Sequence, residues 1–147
     1  MCVNRYFRLL YLTSILCAGL VAIVTTGCGR GTSPVMGKVV FADNQEAVTG
    51  LAEFVITMES AEQKLSATGI IQPDGTFLVS TFEEGDGAMP GTYRVVITPP
   101  IASLTSEGPM PKPIIDPRYG RLQTSTLNVT VEPGENEFLV EVERAQP

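Results

Sequence analysis

Few residues of this 147-residue chain are equipped for chemistry: it holds three Cys, no His and no Trp. Without imidazole there is no Ser-His-Asp or Cys-His nucleophile system, no His-ligated zinc and no imidazole proton shuttle. Carboxylates are more plentiful. Glu83, Glu84 and Asp86 crowd one Gly-bearing stretch, and oxygen ligands on such a loop are what Ca²⁺ requires. Their spacing departs from the Asp-x-Asp-x-Asp-Gly calcium loop and no distal bidentate Glu can be assigned. A solvated acidic turn is therefore the expectation, and a calcium site the weaker alternative. Glu137, Glu141 and Glu143 could supply the acid and base of a glycosidase. They alternate with Phe138, Val140 and Val142, however, as on the water-facing side of a strand, where like charges discourage edge-to-edge pairing. Sugar recognition calls for exposed aromatic faces. Tyr119, close to Arg118 and Arg121, is the one candidate ligand contact, weighed against a role in pinning a loop to the core. Asn128-Val129-Thr130 matches a glycosylation acceptor, to which mid-strand no role is given. No catalytic residue, cofactor or bound metal is expected.

The third cysteine stands apart from this inventory. Residues 1–27 contain Arg5 and Arg8 and no acidic residue, and Leu9–Thr26 carry no charge. A basic stretch, an apolar run and then small residues form the layout of a secretory signal helix. A permanent membrane anchor is the rival reading, since roughly 16–18 apolar residues lie at the lower limit for crossing a bilayer. Thr25-Thr26-Gly27-Cys28 resembles the lipobox of bacterial lipoproteins, with Thr25 where that pattern usually has an aliphatic residue. The resemblance implies that Cys28 begins the mature chain and carries a thioether-linked diacylglycerol. Gly29, where an Asp would signal retention, then implies the outer membrane. Cys2 and Cys17 leave with the signal, so the displayed domain has no thiol and no disulfide.

The elements that would position any site come from the rest of the chain. Residues 28–147 hold 8 basic and 16 acidic side chains, a formal charge of −8 against −6 for the whole chain. Such a balance argues against nucleic acid as a partner. Residues 28–34 are mostly small and polar and read as a flexible tether. Beyond Pro34 the apolar residues recur with a period of two. Tyr93, Val95 and Ile97 alternate with Arg94, Val96 and Thr98, and Leu127, Val129 and Val131 alternate with Thr126, Asn128 and Thr130. Looser alternation covers Val35–Ala42, Leu51–Met58, Lys64–Gln72 and Thr76–Phe82, and the last strand runs from Glu137 to Glu143. Turn residues lie between, Pro73-Asp74-Gly75 being the tightest hairpin signal. Seven short strands with no amphipathic helix among them predict an all-β, antiparallel Greek-key sandwich over 35–147. Residues 99–123 hold 6 of the 11 prolines and predict a long crossover between sheets, pinned by Ile114, Ile115 and Tyr119; a binding loop is the alternative.

A family resemblance attaches to these strands. Gly37-Lys38-Val39-Val40-Phe41, Pro73-Asp74-Gly75-Thr76-Phe77, the run from Gly85 through Pro90-Gly91-Thr92-Tyr93 to Val95, Thr124–Leu127 and Val131–Asn136 resemble small planctomycete lipoproteins. Those in turn resemble carboxypeptidase regulatory-like and transthyretin-like domains. The resemblance implies a prealbumin-like sandwich with no settled activity. Transthyretin-like enzymes that hydrolyse 5-hydroxyisourate depend on His, which this chain lacks, so their activity is not carried over. The expectation is a non-catalytic, lipid-anchored cell-envelope protein whose sandwich is a structural or interaction module, with an envelope protein or glycan as partner. The alternative is a module that binds carbohydrate or peptide through the proline-rich loop 99–123.

Overall fold

An extended chain presents every second side chain to the same face, so the alternation above both makes the strands and selects their buried sides. The computed structural model describes residues 31–100 and 112–146. Within them lie β1 (Val35–Phe41), β2 (Val55–Ser60), β3 (Leu65–Ile70), β4 (Thr76–Ser80), β5 (Gly91–Thr98), β6 (Asn128–Val131) and β7 (Asn136–Val142). The signal segment 1–27, Cys28 with the lipobox residues Thr25, Thr26 and Gly27, and residues 101–111 of the proline-rich loop lie outside the described residues.

The seven strands form a β-sandwich of two sheets, β3-β2-β5-β6 and β7-β1-β4. β2, β3 and β4 follow one another and β5 returns to lie beside β2, which is the Greek-key order. One strand joins the sheets. Thr76, Phe77 and Leu78 of β4 pair with Lys38, Gly37 and Met36 of β1, while Val79 and Ser80 pair with Gly69 and Thr68 of β3. That crossing closes one side of the sandwich. It requires close approach at Gly69, where a Cβ would collide with the carbonyl oxygen of Leu78.

One pair departs from the antiparallel arrangement. β1 and β7 run parallel, from Val35 beside Asn136 to Phe41 beside Val142. The turn at Glu132–Glu135 carries the chain from β6, at the edge of one sheet, to the edge of the other. It therefore enters β7 in the direction of β1. Asn136 organises this turn, its side chain accepting from the Glu132 amide (2.9 Å) and donating to the Gly134 carbonyl (2.8 Å). The β3–β4 hairpin closes through Gly75 at φ +84°, a conformation glycine adopts without steric cost. There Asp74 accepts from the amide and the hydroxyl of Thr76, at 3.0 and 2.7 Å. These bonds to the ionised form hold the Asp74 carboxyl below its ordinary value.

Between the sheets lie Val35, Val39, Val48, Leu51, Ile56, Val79, Val95 and Val142, each fully buried. Two positions differ from the alternation. Leu51, expected to open β2, belongs instead to a 3₁₀ turn, Thr49–Leu51, and β2 begins at Val55. An apolar residue can reach the core from a turn as well as from a strand, and burying this one stabilises the fold by about 1.5–3 kcal/mol. Val96, expected to face water, is only 7% exposed. It lies on a central strand opposite Thr57, between Arg94 and Thr98 on its own face.

Candidate functional site

The segment expected to carry a ligand contact is built around a second 3₁₀ turn, Pro117–Gly120. Asp116 caps it, accepting from the Arg118 amide at 2.9 Å, and Pro117 supplies a fixed φ at its first position. The turn directs Tyr119 inward. Its ring is 2% exposed and packs in the core, and its hydroxyl accepts from the Glu143 amide (3.2 Å) and from Arg118 Nη2 (2.8 Å). The Arg118 guanidinium lies 4.8 Å from the Tyr119 ring centroid and pairs with Glu143 at 2.7 Å. Its hydrogen bonds to Tyr119 and then to Glu143 push the Arg118 pKa further up. Ile115 bridges to Arg144, and the Asp116 amide donates to the Glu143 carbonyl at 3.0 Å.

Tyr119 therefore offers no face to a sugar: as a ligand contact it is corrected by its burial. Arg118 is occupied beside it. Arg121 is exposed, and its carbonyl accepts from the Ser125 amide at 2.8 Å. The described part of the proline-rich connection is thus pinned by Ile115 and Tyr119, with Ile114 lying over Gly50 at 41% exposure.

The acidic loop after β4 is also accounted for by local geometry. Asp86 accepts from the amides of Thr81 (2.7 Å) and Phe82 (3.1 Å), one to each carboxylate oxygen. The Gly85 amide donates to Ser80 Oγ at 2.8 Å, and Gly85 and Gly87 both take positive φ. Glu83, Glu84 and Asp86 are not drawn into a cage, and among the described residues no group of three His, Cys, Asp or Glu is placed to hold a metal ion. The carboxylates of the last strand are likewise apart in role. Glu141 accepts from Gln45 Nε2 at 2.8 Å, and Glu143 pairs with Arg118.

The loop's real task is at its end. Ser33 and Ala88 exchange both backbone hydrogen bonds (2.7 and 3.0 Å), and Ser33 Oγ accepts from the Gly134 amide at 3.3 Å. Gly87 makes this possible, since a Cβ there would meet the Ser33 carbonyl oxygen. The chain that follows Cys28 is thus part of the fold by Ser33. From Ala88 the backbone turns into β5, where the Tyr93 hydroxyl donates to the Met89 carbonyl at 2.8 Å. Burial pushes the Tyr93 phenol up from its ordinary value.

Sequence reasoning missed a groove of about 900 Å³ on the outer face of β1, β4, β3 and β2. Its apolar floor is Met36, Leu78, Ile70 and Val55, with Lys38, Glu84 and Glu137 at its rim. The signal was in the alternation: Met36, Leu78 and Ile70 are large apolar residues on the water-facing phase of their strands. A smaller hollow of about 430 Å³ lies over β5 and β6, lined by Glu59, Arg94, Leu122, Gln123 and Asn128 among others.

Fold and surface together define an all-β sandwich module. No protein-family model and no curated protein matches the chain. Among solved structures it is similar to a DUF3823 family protein from Parabacteroides merdae, at 15% identity and TM-score 0.39, over 76% of this chain and 46% of that one. It is also similar to a DUF3823 family protein from Bacteroides ovatus, at 22% identity and TM-score 0.41, over 75% of this chain and 44% of that one. The chain thus spans less than half the length of either.

Proposed function

We propose that the chain is exported, acylated at Cys28 and held at the cell envelope, on the outer membrane, where its sandwich is a non-catalytic interaction module. The observation that carries this reading is the junction at Ser33. Only five residues beyond Cys28 the backbone is already bonded into the domain, and no cysteine occurs after Cys28. That is the economy of a tethered domain: a lipid-bearing residue, a short polar spacer, then a fold that needs no cross-link. Two or three acyl chains, at ~0.8 kcal/mol per buried methylene, anchor such a domain lastingly. The resemblance of the Gly85–Val95 run to carboxypeptidase regulatory-like lipoproteins is in line with it. Tyr119, the aromatic weighed as a sugar contact, is buried.

The test is made in cells. Globomycin is expected to leave an unprocessed precursor, and Cys28→Ala is expected to abolish labelling by a palmitate analogue. Normal processing and labelling of the variant would refute the acylation.

A further inference from the structure

The outer surface of the sandwich is divided in two. Over β5 and β6 it carries Thr92, Arg94, Asn128 and Thr130, all exposed and polar. Over β1, β4, β3 and β2 it carries one apolar cross-strand row. Met36 is the register partner of Leu78, and Val55 that of Ile70. Ile70 follows Gly69, the partner of Val79, and so falls beside Leu78. Met36, Leu78 and Ile70 are 47, 48 and 58% exposed, and Leu139 of β7, the register partner of Lys38 two positions beyond Met36, is 56% exposed. The row spans three strand spacings, about 15 Å. Single exposed apolar residues need no explanation, but a contiguous row along a groove marks a contact surface.

The position of the row says what covers it. Ser33, where the tether enters the fold, stands three residues before Met36. The five residues from Cys28 to Ser33 reach at most about 18 Å when extended. A domain held that closely by acyl chains has the face beside its tether nearest the bilayer. We infer that the row Met36–Leu78–Ile70–Val55 lies on the lipid surface to which the domain is tethered, one of zwitterionic headgroups with no net charge; this rests on the acylation of Cys28 proposed above. The rim selects the headgroup. Glu84 and Glu137 line the groove, and Glu132 and Glu135 flank Gly134, whose amide bonds Ser33 at the tether, so anionic headgroups are repelled. Lys38, at the rim, can lay its aliphatic stem along the apolar surface and keep its ammonium among the phosphates.

The absence of Trp makes the test direct. The full chain, isolated from membranes and reconstituted in phosphatidylcholine vesicles, is given one reporter by Ile70→Trp. Met36 is too near the tether to discriminate, whereas Ile70 lies two strands further and is exposed enough to accept an indole. The expected result is a blue-shifted emission, most of which is lost when the vesicle lipids carry brominated acyl chains. Leu78→Trp is expected to behave alike, and Thr130→Trp, on the polar half, to keep its emission. Admixture of phosphatidylglycerol is expected to weaken the quenching. If the chain floats with the vesicles but the reporters at Ile70 and Leu78 emit like that at Thr130, the docking is refuted and the acylation stands. The same holds if these reporters are shielded only in a cross-linkable dimer, which makes the occupant a second copy. A chain that fails to float overturns the acylation and this inference with it.

Discussion

Replacing Gly87 by Ala is expected to be the most damaging single-methyl change in the loop that fastens the tether. Gly87 has φ +82°, and strain of that kind in a residue with a side chain costs about 1–3 kcal/mol. The added Cβ also meets the carbonyl oxygen of Ser33, a backbone atom held by the two bonds between Ser33 and Ala88. Those bonds must open for the methyl to fit, and each contributes about 0.5–1.5 kcal/mol. Gly134→Ala provides the control: its φ is +109° and nothing lies within 4 Å of the new Cβ. It bears the backbone cost alone. Gly87→Ala should therefore exceed Gly134→Ala by about 2 kcal/mol, the value of the two lost bonds. Urea unfolding followed by circular dichroism measures both, the difference appearing in the midpoint at constant slope. Limited proteolysis should also find residues 31–34 newly accessible in Gly87→Ala and not in Gly134→Ala. Equal losses of stability in the two variants would refute the argument, because the Ser33–Ala88 bridge would then contribute nothing.

Two further outcomes follow from the hydrogen bonds. Tyr119→Phe keeps the ring in the core and removes the acceptor of the Glu143 amide, so it should cost about 1 kcal/mol in thermal or urea unfolding; a variant as stable as the parent would show that the hydroxyl pins nothing. The Asp74 carboxyl, bonded twice by Thr76, has its pKa lowered in the folded state. Its contribution to stability is then present above the unfolded value of about 4 and is lost as the pH falls through the lower folded value. Asp74→Asn should flatten this acid limb of the stability profile, and an unaltered limb would contradict the assignment.

Local rules made much of the fold legible. The alternation in Tyr93-Arg94-Val95 and in Phe138-Leu139-Val140 marks inward and outward faces because the extended chain has a period of two. Pro73-Asp74-Gly75 marks a hairpin because only those residue types fit its backbone. Leu51 misled because hydrophobicity reports burial and not the conformation by which it is reached. Tyr119 was open to two readings for a similar reason. An aromatic ring between two arginines suits a binding surface and a loop anchor alike, and the Asp116 cap and the Glu143 amide decide between them only once β7 is in place.

The sequence by itself determined the strand content, the turn positions, the absence of imidazole chemistry, and the confinement of all three thiols to the first 28 residues. These depend on residue type and on neighbours a few positions away. Only the tertiary structure decided that β4 belongs to both sheets, that β1 and β7 run parallel, and that Ser33 is bonded to Ala88. It alone aligned Met36, Leu78, Ile70 and Val55 in one row. Alternation states which face a residue occupies, but the register between strands distant in the chain states which residues share it, and that register is set by packing of the whole.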